Sequence, residues 1–155
     1  MTFQVHALPA DGFAPLFDMS TEELGKIRAK RMVADAKPGY PCRVSLTDAE
    51  IGETVILVNF EHQVGDSPYR ASHAIFVREK AEQAFPTVGA IPEVLTLRLI
   101  SMRAFDENDY MVASDIVDGT RLEEAITATL ENPSVAYLHL HNAKPGCYAA
   151  RVTRA

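Results

Sequence analysis

Short apolar segments, several with the two-residue period of strands, are spread along this chain, and in two stretches a capping-box spacing opens a helix. Phe3 to Leu8 reads as a short strand ended by Pro9 and Gly12. Ser20-Thr21-Glu22-Glu23 has the spacing of a capping box, so a helix opens there and runs to about Ala29. Arg31 to Ala36 reads as extended, and two prolines make Lys37-Pro38-Gly39-Tyr40-Pro41 a turn. Thr54 to Phe60 is β-branched and apolar on both faces, the mark of a central strand. The polar stretch Glu61 to Ser72, with Gly65 and Pro68, predicts a long loop before a strand over His73 to Glu79.

The second half repeats the scheme. Leu97 to Phe105 and Tyr110 to Val117 flank Asp106-Glu107-Asn108-Asp109 and predict a hairpin. Thr120-Arg121-Leu122-Glu123 has the spacing of a second capping box, after which Leu122, Ile126 and Leu130 share one helix face until Asn132-Pro133. Val135 to His141 and Cys147 to Thr153 complete the chain as two strands. The expected fold class is α+β: one domain over residues 1–155, a mostly antiparallel mixed sheet and two main helices.

Composition narrows the class without changing the fold. A chain of 155 residues can bury a full core without disulfide or metal staples, and 47% hydrophobic with 23% charged residues is ordinary for a globular domain. No apolar run approaches the roughly eighteen residues of a membrane span, and Met1 to His6 does not open a signal peptide. Cys42 and Cys147 are the only cysteines, too few for a secreted disulfide scaffold, so a cytoplasmic protein with reduced thiols is expected. A net charge of −6 argues against general nucleic-acid binding. The distribution of charge is uneven. Ser134 to Ala155 carries no acidic residue, and Lys26 to Arg43 carries only Asp35 against six cations. A small anionic ligand is therefore the expected partner if those basic segments converge.

They share a phrase. Lys37-Pro38-Gly39-Tyr40-Pro41-Cys42-Arg43-Val44 is echoed by Lys144-Pro145-Gly146-Cys147, which runs on to Arg151-Val152. Before the second copy, Tyr137, His139 and His141 alternate with Leu138 and Leu140 and so share one strand face. Burying the leucines with an apolar set of Tyr148, Ala150 and Val152 pairs Leu140 with Tyr148 and Leu138 with Ala150. That register places His141 opposite Cys147 and Tyr137 opposite Arg151. It gathers His139, His141, Cys147 and Arg151 on one face.

Three chemistries suit such a face. A histidine beside Cys147 would make it a nucleophile, with Asn142 or Asn59 orienting the ring and Arg43, Arg70 or Arg151 holding an anionic substrate. Alternatively, His139 and His141 aim two imidazoles the same way, and Cys147 with a loop histidine, His62 or His73, would complete a tetrahedral zinc set. Acid–base or anion-binding work by His73, His139 or His141 without metal is the third. The expected cleft thus has His73, His139, His141 and Cys147 as catalytic candidates, and Cys42, Arg43, His62, Arg70, Asn142 and Arg151 as ligand-binding ones. A non-enzymatic module that presents the same face to a protein partner is the alternative from another class. No cofactor is specified by these residues, and whether the chain is an enzyme stays open.

Three segments carry a family resemblance: Lys-Pro-Gly-Tyr-Pro-Cys-Arg-Val-Ser-Leu (37–46), Ser-Pro-Tyr-Arg-Ala-Ser-His-Ala-Ile-Phe-Val-Arg-Glu (67–79) and His-Leu-His-Asn-Ala-Lys-Pro-Gly-Cys-Tyr-Ala-Ala-Arg-Val (139–152). Together they resemble the bacterial family called domain of unknown function 1203, over essentially the whole chain. The resemblance implies a bacterial, stand-alone, single-domain protein. It implies no activity, cofactor or residue role.

Overall fold

The computed structural model describes residues 1–155 and contains eight strands in two antiparallel sheets, with three short helices. In chain order the elements are β1 (Phe3–His6), α1 (Thr21–Lys26), β2 (Ala29–Val33), β3 (Thr54–Gln63), β4 (Ala71–Arg78), α2 (Glu93–Thr96), β5 (Leu99–Phe105), β6 (Met111–Asp118), α3 (Leu122–Leu130), β7 (Tyr137–Asn142) and β8 (Tyr148–Arg154). One sheet has the order β1-β8-β7-β5-β6 and the other β2-β3-β4. The expected α+β class holds; the expected one sheet is two.

Each sheet builds its own core. Leu138, Leu140, Ala150 and Val152 of the larger sheet pack with Leu122, Ile126 and Leu130 of α3 and with Val94 and Leu95 of α2. Burying side chains of this size stabilises by about 1.5–3 kcal/mol each. Ile56, Val58, Ile75 and Val77 of the smaller sheet pack with Phe13 and Leu16 of a 3-10 turn, with Leu24 of α1, and with Tyr148 from the larger sheet. Tyr148 therefore joins the two. β7 is buried at all six positions. Its leucines meet the helices, and its histidines meet the smaller sheet.

Local signals fared unequally. Ser20 and Glu23 form the expected capping box, but α1 stops at Lys26 because Arg28 turns into the left-handed region and β2 begins at once. The second capping box is absent. Asp118 takes over: its carboxylate accepts from the Thr120 amide and caps a 3-10 turn at Gly119–Arg121 that leads into α3. The loop expected over Glu61 to Ser72 is shorter, because β3 continues to Gln63 and β4 starts at Ala71.

Two bulges decide where the functional side chains point. In β3 the ladder slips between Glu61 and Gln63, so His62 is the extra residue. His62 then stacks on Tyr148 while Gln63, its chain neighbour, donates to the Tyr137 hydroxyl. Two consecutive residues thus face the larger sheet, which a regular strand forbids. In β8 the pairing runs Leu138 with Val152, His139 with Arg151, Leu140 with Ala150, and then His141 with Tyr148. Ala149 is the extra residue. The expected register is corrected by two positions up to Leu140 and by one after the bulge: Arg151 pairs with His139 and not Tyr137, and His141 faces Tyr148 and not Cys147. The physical reason is that Tyr148 and Ala150, treated as one apolar face, are split by the bulge, and the tyrosine goes to the histidine side.

Candidate functional site

Between the sheets, His139 and His141 of β7 meet His62 from the β3 bulge. One ring nitrogen from each lies within 4.8 Å of the others. The His62 and His141 rings stand edge to face with centroids 4.8 Å apart. Tyr148 forms one wall, parallel to His62 and edge-on to His139 and His141. The Tyr137 hydroxyl accepts from Gln63 Nε2 at 2.9 Å and donates to the Asp109 carboxylate. Burial and that carboxylate push its pKa up to about 12.

Proton positions follow from the partners. The Gly146 carbonyl oxygen lies 2.9 Å from His141 Nδ1 and can only accept, so Nδ1 carries the proton and Nε2 offers a lone pair. His141 Nε2, His139 Nδ1 and His62 Nδ1 are all buried without a hydrogen-bond partner. Burial depresses the imidazolium forms, to about 3 for His139 and His141 and to about 4 for His62. Neighbouring histidines and Arg103 push the same way. All three rings are neutral at pH 7.

Two cations flank the cluster. Cross-strand pairing sets Arg151 on one side of His139 and Arg103 on the other. Arg103 Nε donates to Ser101 Oγ at 3.2 Å, and neither guanidinium forms a salt bridge. Arg151 lies 4.6 Å from the centre of the Tyr137 ring.

The remaining candidates separate into other places. Arg43 and Cys147 do meet: Nη2 of the arginine is 2.9 Å from Sγ, and Nε donates to the Tyr148 carbonyl at 2.7 Å. Asn142 Nδ2 is 3.7 Å from the same sulfur. The two Lys-Pro-Gly phrases thus converge, in a cavity of about 480 Å³ that His73 also lines. Cys42 is packed in the smaller sheet's core with its sulfur accepting from the Ser45 and Arg78 amides, and both cysteines are free thiols. Arg70 is exposed and paired with Glu61 at 2.8 Å, and Asn59 is exposed too.

Sequence reasoning missed Tyr148, Arg103, Gln63 and Ser101. Tyr148 was hidden by the Ala149 bulge, which leaves no periodic trace. Arg103 and Ser101 had a usable signal: both sit at alternate positions of β5, so they share a face with whatever lies opposite.

Fold and site together define an α+β protein with a cluster of three neutral histidines, two buried and one half-buried, between two sheets. The chain belongs to the family described as protein of unknown function (DUF1203), whose model matches residues 39–154. No match was found among curated proteins or among solved structures. No helix is long and apolar enough to cross a membrane.

Proposed function

We propose that this protein is a metal-dependent, small-molecule enzyme or binder in which His62, His139 and His141 hold one zinc ion, and that a small anion is its ligand. The observation that carries the reading is the convergence of one ring nitrogen from each of three histidines to within 4.8 Å, in a site where each ring has an unpartnered buried nitrogen. His141, whose proton sits on Nδ1, leaves Nε2 with a lone pair that an anion cannot satisfy. It needs a Lewis acid or a donor. A metal would take that lone pair together with one ring nitrogen from each of the other two histidines, and His141 shows the carbonyl-anchored second nitrogen that orients a metal-ligating ring.

The donor set selects the ion. Three imidazoles without carboxylate suit zinc and its late first-row neighbours and reject calcium and magnesium, which want oxygen. Three nitrogens each at about 2.0–2.1 Å from zinc lie ~3.3 Å apart, so the cluster closes on binding. His62, the least buried of the three, has the most room to move. Three protein ligands leave a fourth position open, as catalytic sites do, and zinc there would activate a water or polarise a substrate oxygen. Arg103 and Arg151, without carboxylate partners, draw an anion to that position. The partner-surface alternative is disfavoured because His139 and His141 are buried and form no open patch.

Cobalt(II) titration tests the site. One equivalent should give the visible absorption of a low-symmetry nitrogen site, zinc should displace it, and His139→Ala should abolish it while retaining native circular dichroism. A wild-type protein that shows no such band and no stoichiometric metal when purified without a tag would sink the reading.

A further inference from the structure

The cavity where the two Lys-Pro-Gly phrases meet is separate from the histidine cluster. Asn142 follows His141 in β7, so its side chain leaves by the other face. The charge anchor in the cavity is Arg43. It is 2% exposed, and three of its five N–H groups reach the Tyr148 and Pro41 carbonyls and Cys147 Sγ. None of those acceptors is a carboxylate. Burial lowers the Arg43 pKa, with the neighbouring Cys147 sulfur pulling the other way. The partly buried cation nearby, Arg98, is already neutralised by Asp48 through two contacts at 2.6 and 3.0 Å.

A second observation also points to a ligand. Asn142 is 5% exposed, lines the cavity, and its Oδ1 has no hydrogen-bond partner. An isolated buried cation and an unpaired buried acceptor in one cavity both lack what a ligand would bring. Leu57, Phe76, Leu97 and Leu99 supply apolar walls, and exposed Lys144 stands among the lining residues. The volume suits a small metabolite.

We propose that this cavity binds a small organic monoanion with an apolar body, its charge on Arg43 and Lys144 and a donor group on Asn142 Oδ1. Cys147, in the same wall, serves as the built-in reporter. Its sulfur displaces iodide from a haloacetyl reagent, the S–C bond forming as the C–I bond breaks and the thiol proton passing to buffer. Iodoacetate is itself a small carboxylate, whereas iodoacetamide is its neutral isostere. The ratio of iodoacetate to iodoacetamide labelling at Cys147, read by peptide mass spectrometry, should exceed the ratio for free cysteine by about tenfold, as a charge-assisted contact implies. Benzoate should slow iodoacetamide labelling with saturation, and Lys144→Gln, a surface change that leaves the fold intact, should lower the ratio several-fold. A ratio at or below that of free cysteine would overturn the proposal. So would a Cys147 that resists both reagents until the protein is unfolded. Cobalt binding at the histidines is independent of either outcome.

Discussion

Two buried imidazoles and a half-buried third, all with lowered pKa, make stability depend on pH in a defined direction. His139 and His141 are neutral in the native state down to about pH 3, whereas the unfolded chain protonates them near 6.5. Above pH 6.5 neither state takes up the proton. Between 6.5 and 3 the unfolded state binds more protons, so stability drops as pH is lowered, by up to about 1.4 kcal/mol per unit and per histidine. Urea titrations at pH 7.5 and 5 should show this loss, and the His139→Ala, His141→Ala double variant should show a flatter profile. A wild-type midpoint that does not move with pH would contradict the neutral cluster. Glycine 119 is the other residue with a sharp prediction. A Cβ there would sit 2.1 Å from the Leu95 carbonyl oxygen and 2.6 Å from that of Arg98, both backbone atoms that cannot swing away. Gly119→Ala should cost about 1–3 kcal/mol, seen as a melting temperature lower by roughly 2–4 °C per kcal/mol. Nothing around Gly119 in sequence announces that contact. It is a close approach of α2's end to the turn before α3, made by folding.

Helix α3 holds the larger sheet from one side through three residues that the four-residue repeat already exposed. Leu122, Ile126 and Leu130 are all fully buried. Leu130→Ala should therefore cost about 2–5 kcal/mol in equilibrium unfolding, and a change under 1 kcal/mol would mean α3 does not carry the core. Strands were legible for the same reason: alternation marks a half-buried face, and β5, β6, β7 and β8 lie where it placed them, within a residue or two. The bulges were not legible. An extra residue at His62 or Ala149 changes no composition and fits no period, yet each turns a side chain by half a strand repeat. That is why His139 and His141 were recognised as a shared face, and His62 named as one of two loop histidines, while Cys147 was wrongly set across from His141.

Across the molecule, the two sheets meet through the histidine cluster, Tyr148 and the Asp48–Arg98 pair. Asp48 is 8% exposed, accepts from the Gly39 amide, and binds Arg98 through both carboxylate oxygens, tying the first Lys-Pro-Gly turn to the start of β5. Asp48→Ala leaves a cation half-buried without its partner and should destabilise by about 3 kcal/mol, measured by denaturant unfolding. Zinc should act in the opposite sense. At a hundred times its dissociation constant it would add about 2.7 kcal/mol, raising the melting temperature by roughly 5–10 °C, with reversal by a chelator. No zinc-dependent shift would count against the metal centre. The α+β class, most strand positions, the α3 core face and the shared face of His139 and His141 follow from the order of residues alone, because each rests on local periodicity or on a cap within a few positions. The convergence of His62 with His139 and His141 spans 77 and 79 positions of chain, and that of Arg43 with Cys147 spans 104. Those meetings depend on two sheets packing together and on two bulges, and no local rule in the chain encodes either.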